Sequence, residues 1–124
     1  MGEYLTVIEV LAIHGAMLDE FGGTDGVRDL GALESAVFRP QTGYYEGPIE
    51  EAAALMESLL QNHPFLDGNK RTAFAAADLH LRLNGLMYSG TPVEAIEFID
   101  SLFEDATVDA AVIAEFLRAH SSEI

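Results

Sequence analysis

Four prolines, at positions 40, 48, 64 and 92, decide where this chain can be regular, because proline lacks a backbone N–H and fits a helix only in its first turn. Between them, apolar residues recur at helical spacing. Val7, Ile8, Leu11, Ala12, Met17 and Leu18 share one broad face and predict a helix over about 5–20. Glycines at 22, 23, 26 and 31 then make "FGGTDGVRDLG" a loop. Asp29 is placed to cap a short helix to Phe38, stopped by Pro40, and "PQTGYYEGP" reads as an exposed loop. Pro48, with Glu50 and Glu51 at the positive end of a dipole, opens a helix over about 49–62. Pro64 interrupts it, and a second long helix runs from 69 to 84, with Gly85 as its stop. Thr91-Pro92-Val93-Glu94 has the form of a capping box opening a helix to about 104, and Thr107 is expected to cap the last one, to about 120. Only 86–89 reads as a short extended piece. The expected fold is therefore all-α: six helices in a single domain, 1–124, with one chemically loaded loop between the two central helices.

Length and composition bound the function. A chain of 124 residues, 49% apolar, can bury one real core. It has no run of eighteen apolar residues and no positively charged start ahead of a short apolar stretch, so a soluble, cytoplasmic protein without membrane contact is expected. With no cysteine, thiolate chemistry and thiolate metal sites are excluded. The formal charge of −15 argues against direct nucleic-acid binding, which needs a basic stripe. Acids spread along the whole chain read as a solvated surface, of the kind a saline cytoplasm favours, rather than as a face selecting a basic partner.

Against that background, "HPFLDGNKRTA", His63 to Ala73, places two of the six cations side by side. The stretch lies between two predicted helices and runs into the first turn of the second. A helix N-terminus presents unpaired N–H groups and a partial positive charge, and Gly68 allows close backbone approach, so the turn suits an anion. Lys70 and Arg71 stand where the dipole alone disfavours cations. An anionic ligand resolves the conflict, and phosphate matches the Arg fork and the Lys point charge. Asp67 is the lone carboxylate that Mg²⁺ takes beside phosphate oxygens and water. His63 carries an imidazole, a side chain type suited to removing a proton from an attacking hydroxyl. Pro64 and Phe65 are read as packing beneath the loop. These residue types alone point to phosphoryl or nucleotidyl transfer.

The same residues resemble the Fic/Doc family, and within it the death-on-curing (Doc) toxins. The family motif His-x-Phe-x-Asp/Glu-x-Asn-x-Arg is matched by His63, Phe65, Asp67, Asn69 and Arg71. Phe21 to Gln41 is similar to the N-terminal segment of Doc-like chains, so the resemblance spans most of the domain. It implies His63 as general base, Asp67 as the Mg²⁺ ligand, and Gly68, Asn69, Lys70 and Arg71 around the phosphates of ATP. Doc toxins carry Lys at the position of Lys70 and transfer the terminal phosphate of ATP to a threonine of elongation factor Tu, arresting translation. An antitoxin whose C-terminal segment folds into a groove on the toxin restrains them. Adenylyl-transferring members usually have Gly at the position of Lys70 and a second Arg at that of Phe74; they share the His-Pro-Phe opening, and Doc toxins have Ala where this chain has Gly68. Kinase-like phosphotransfer is the reading adopted, with adenylyl transfer and a catalytically silent binding module as alternatives.

The remaining features are read plainly. His14, His80 and His120 are surface or helix-packing residues, and Leu55, Met56, Leu59 and Leu60 face the core. Thr42 to Gly47 fits the family's inhibitory pattern Ser/Thr-x-x-x-Glu-Gly/Asn by coincidence, since it falls in a loop rather than on a helix. Tyr44 and Tyr45 stand either as an exposed lip near the site or as core residues. Arg28, Glu34 and Arg39 lie in the similar upstream segment without an assigned role.

Overall fold

A computed structural model describes residues 2–124. At its centre is a helix, Pro48–Asn62, in which nine of fifteen residues are buried. Such a helix, apolar nearly all round, can exist only if others wrap it. In chain order the elements are α1 (Val7–Phe21), α2 (Leu30–Phe38), a single 3₁₀ turn (Arg39–Thr42), the central α3 (Pro48–Asn62), α4 (Asn69–Leu83), β1 (Leu86–Tyr88), α5 (Pro92–Glu104), α6 (Ala110–Ala119) and β2 (Ser121–Glu123). The expected all-α architecture of six helices is what forms. Helices α4, α6 and α2 pack against α3, and α1 packs across α4. Ala52, Ala53 and Ala54 of α3 and Ala73, Ala76 and Ala77 of α4 are fully buried, and small side chains at such a contact let two helix backbones come close. The two helices that carry the candidate residues are thereby held as a rigid hairpin.

Local chemistry explains most boundaries. Thr6 and Glu9 form a reciprocal capping box at the start of α1, and Thr91 and Glu94 do the same for α5. The side chain of Asp29 accepts from the N–H of Ala32, as its position predicts. One expectation needs correction, and two others gain detail. The last helix is capped by Asp109, whose carboxylate accepts from Ala111 N–H at 2.7 Å; Thr107 instead donates its own N–H to Leu102 O at 2.8 Å, closing the turn after α5. Helix α2 ends at Phe38 as expected, but the chain does not pass straight into open loop, because Pro40 is accommodated in the first turn of a 3₁₀ segment. The extended piece at 86–88 has a partner the sequence does not announce: it pairs antiparallel with β2, Met87 opposite Ser122. Ser-Ser-Glu has no strand propensity of its own, so the pairing is supplied by where α6 delivers the chain.

One buried polar pair away from the loop, His80 with Glu51, is matched. His80, fully buried on α4, donates from Nε2 to Glu51 at 3.1 Å, and Tyr4 donates to the other oxygen of Glu51 at 3.2 Å. Burial pushes the His80 imidazole below its ordinary pKa, against the pull of Glu51, which suits the neutral ring as donor. His80 is thus a helix-packing residue.

The cap assignment is testable. Asp109→Ala should cost about 1 kcal/mol of stability, and Thr107→Ala, which leaves the backbone bond intact, should cost only a few tenths. Urea unfolding of the two variants checks this; a larger loss for Thr107→Ala than for Asp109→Ala would return the cap to Thr107.

Candidate active site

The loop between α3 and α4 is organised by one buried ring. Phe65 is 1% exposed, plugged into the core below the loop. Its backbone is claimed on both sides by Asn69: Phe65 N–H donates to Asn69 Oδ1 at 3.0 Å, and Asn69 Nδ2 donates to Phe65 O at 2.9 Å. Across the ring lies His14 of α1, stacked at 3.8 Å between centroids, with Nε2 donating to the backbone O of Asp67 at 2.8 Å. Buried Pro64 completes the floor, as read from the sequence.

From the other side the segment after α1 returns to the loop. Arg28 and Asp29 N–H groups both donate to Pro64 O, at 2.7 and 3.0 Å, and Leu66 N–H donates to Gly26 O at 3.0 Å, placing Val27 opposite Phe65 in a short antiparallel bridge. The Arg28 side chain closes the end of α3, with Nε donating to His63 O at 2.7 Å and its guanidinium also bonded to Asn62 O. These carbonyls are the ones a helix end leaves unpaired. His63 itself is left-handed, φ 45° and ψ 61°, a conformation that His adopts more readily than most residues and that ends α3 sharply. Its ring comes out exposed, 6.3 Å between centroids from that of Phe103 on α5.

Asp67 is held by two backbone donors, Thr24 N–H on Oδ2 at 3.1 Å and Gly68 N–H on Oδ1 at 2.9 Å. These bonds, then the charges of His14 and Arg71, keep its carboxyl below the usual carboxylate range, so it is an anion at neutral pH. Gly23 makes the approach possible: a Cβ there would sit 2.8 Å from Asp67 Oδ2. Gly68, at φ 78°, precedes α4 in the left-handed region. A Cβ at 68 would meet nothing closer than 3.5 Å, so conformation rather than space favours glycine.

No side chain caps α4, and its first intrahelical bond is Thr72 N–H to Gly68 O, so the N–H groups of Asn69, Lys70 and Arg71 stand at a positive helix end. His63, Asp67, Gly68, Asn69, Lys70 and Arg71 all line one cleft of about 350 Å³, with Met17 and Leu18 of α1 as its apolar wall. All six residues singled out from the sequence are therefore brought together. Asn69 contributes differently from the expectation of a phosphate ligand, for its carboxamide is spent on Phe65 and its backbone N–H is what faces outward. Lys70 Nζ pairs with Asp100 at 3.3 Å and lies 4.8 Å from the Phe103 centroid; the Arg71 guanidinium lies 3.9 Å from that of Phe21.

Among the described residues no three acidic or imidazole groups cluster as a metal cage. An exposed, ionised Asp67 with lone pairs left on both oxygens suits a cation that completes its shell with phosphate and water. His14 and Arg28 are the residues sequence reasoning passed over. Each acts from more than thirty positions away, a partnership that spacing cannot reveal. Neither Tyr44 nor Tyr45 lines the cleft: Tyr44 is 82% exposed, and Tyr45 accepts from Arg39 Nε at 2.6 Å beside a second network, Arg39 to Glu57 and Ser58, that ties the 3₁₀ turn to α3. Thr42 to Gly47 starts at the end of that turn and also stays out of the cleft.

Comparison with known proteins agrees with this geometry. A model of the Fic/DOC family matches residues 4–81, more than half the chain. The chain is 46% identical over 131 residues to "Toxin Doc" of Mycolicibacterium smegmatis, covering 96% of this chain and 97% of that protein. It is 34% identical over 116 residues to "Protein kinase doc" of Escherichia phage P1, covering 89% of each. With that likeness spanning the organised loop, both flanking helices and the returning N-terminal segment, the chain belongs to the Fic/DOC family and is of its Doc type.

Proposed function

We propose that the chain is the toxin of a toxin–antitoxin pair, a phosphotransferase that moves the terminal phosphate of ATP to a Ser or Thr hydroxyl of a translation elongation factor, elongation factor Tu or its counterpart. The observation that carries this reading is the convergence of an exposed imidazole, an ionised carboxylate and two cations on one cleft at an uncapped helix N-terminus. The name "Protein kinase doc" of the phage relative supports phosphate as the group transferred.

In the reaction, His63 takes the proton of the target hydroxyl as its oxygen attacks the terminal phosphorus. The P–O bond to ADP breaks as the new one forms, and charge on the phosphoryl oxygens is met by Lys70, Arg71 and the first amides of α4. Asp67 would hold Mg²⁺, which when bound neutralises phosphate charge. The Arg28 bond to His63 O and the Asn69 clamp fix where base and amides stand, so their share is positioning. Phe74, where adenylyl-transferring members carry a second Arg, is half-buried edge-on to Tyr88 at 4.9 Å and offers no charge to a further phosphate.

An antitoxin fits beside the cleft. An apolar groove of about 480 Å³ lies between α1, α4 and α5, floored by Phe21, Phe74, Ile96 and Ile99 and rimmed by Glu20, Asp78 and Asp100. It shares Met17, Lys70 and Arg71 with the cleft, so an amphipathic segment with basic edges seated there would cover the phosphate clamp.

Two experiments test the assignment. Intact-mass analysis of the elongation factor after incubation with the protein, ATP and Mg²⁺ should show a phosphate-sized gain, lost by at least 10²-fold in rate with His63→Ala. An AMP-sized gain would transfer the protein to adenylylation, and wild-type turnover by His63→Ala would remove the base. Asp67→Asn should abolish the Mg²⁺-dependent part of nucleotide affinity, and because the Asp67 pKa is lowered, the wild-type carboxylate stays ionised and its contribution should hold across the neutral pH range. Unchanged Mg²⁺ dependence in the variant would reject Asp67 as ligand.

A further inference from the structure

Lys70 and Arg71 are adjacent like charges at the positive end of a helix, an arrangement opposed both by their mutual repulsion and by the dipole. Each is nevertheless seated on an aromatic ring, and the two rings come from different helices. Arg71 lies 3.9 Å from the centroid of Phe21, the last residue of α1, and Lys70 Nζ lies 4.8 Å from that of Phe103, near the end of α5. Both distances are inside the range at which a cation is attracted to a ring face. Neither ring belongs to the core: Phe21 is 50% exposed and Phe103 36%. Burial therefore does not explain why phenylalanine stands at these two positions.

We propose that Phe21 and Phe103 are positioning residues of the reaction, two aromatic shelves that draw the adjacent cations apart and hold them, still charged, at the mouth of the cleft. The inference rests on the reading that Lys70 and Arg71 bind nucleotide phosphates. A ring suits this task better than a carboxylate. It attracts the cation through its face and leaves the N–H donors free for phosphate oxygens, whereas a carboxylate would occupy those donors and cancel the charge. Arg71 has no ion pair among the described residues. Lys70 has one, to Asp100, with both side chains half-exposed, a pair of the weak, solvent-screened kind that an arriving phosphate displaces. Holding two long side chains beforehand also lowers the entropy lost when the nucleotide binds.

The test is calorimetric titration of the full chain with ATP and Mg²⁺. Phe21→Leu and Phe103→Leu keep apolar bulk and remove the ring; each should weaken binding about two- to five-fold. Phe21→Tyr and Phe103→Tyr restore a ring face and should bind within about two-fold of wild type. Thermal melts should change little in all four variants, because Phe21 is 50% and Phe103 36% exposed and neither ring is part of the core. In an Arg71→Ala background, Phe21→Leu should have no further effect. Leu variants that bind as wild type, or a Phe21→Leu loss of equal size with and without Arg71, would overturn the proposal. If Arg71→Ala and Lys70→Ala themselves bind nucleotide as wild type, the phosphate reading of the cleft fails first, and the shelves with it.

Discussion

The burial of Phe65 is the constraint on which the rest of the site depends. A loop carrying an imidazole, a carboxylate and two cations has no apolar interior of its own, and it would wander unless something anchored it. One ring in the core supplies the anchor, worth roughly 2–3 kcal/mol if lost to solvent. The two Asn69 bonds then forbid the backbone around it from turning. His14 seals the ring on the α1 side and fixes the carbonyl of Asp67, so the carboxylate, the glycine turn and the start of α4 follow as one rigid piece. The aromatic and asparagine positions of the motif are thus structural in effect, and they place the charged positions where chemistry can use them.

The charge distribution of the whole molecule is set against this site. With 21 acids to 6 bases, the surface repels anions at long range, yet Lys70 and Arg71 line the cleft and Arg28 braces its floor. Local geometry has to overcome the general field. On the function proposed above, it would do so with short-range elements that salt screens least: backbone amides at a helix end and cations already in place. In concentrated salt, where the Debye length is about 3 Å, the opposing field largely vanishes while the site remains.

How much of this was legible in the sequence follows from the range of each interaction. The six helices and most of their ends could be read, because proline, glycine and capping residues act within a few positions; Asp29, Pro48 and the Thr91 box behave as their neighbours dictate. The candidate residues could be read for the same reason, being packed into nine positions from His63 to Arg71. Partnerships across the fold could not. His14 reaches the Asp67 carbonyl, Arg28 reaches His63, and Ser121–Glu123 becomes a strand only because β1 lies beside it. The choice of Asp109 over Thr107 as a cap is a near miss of another kind: both residue types can cap, and the turn closed by Thr107 N–H on Leu102 decides which of them is at the helix end. Asn69 shows that a residue singled out from the sequence can line the cleft and still spend its side chain elsewhere, here on the backbone of Phe65.

A crystal structure with a non-hydrolysable ATP analogue and Mg²⁺ tests the central claim most directly, that the anchored loop presents the terminal phosphate to His63. That phosphate is expected within hydrogen-bonding reach of the first amides of α4 and of Lys70 and Arg71, with His63 facing the phosphorus from the side opposite the leaving oxygen. An α-phosphate in that place, or a nucleotide bound outside the cleft, would contradict it.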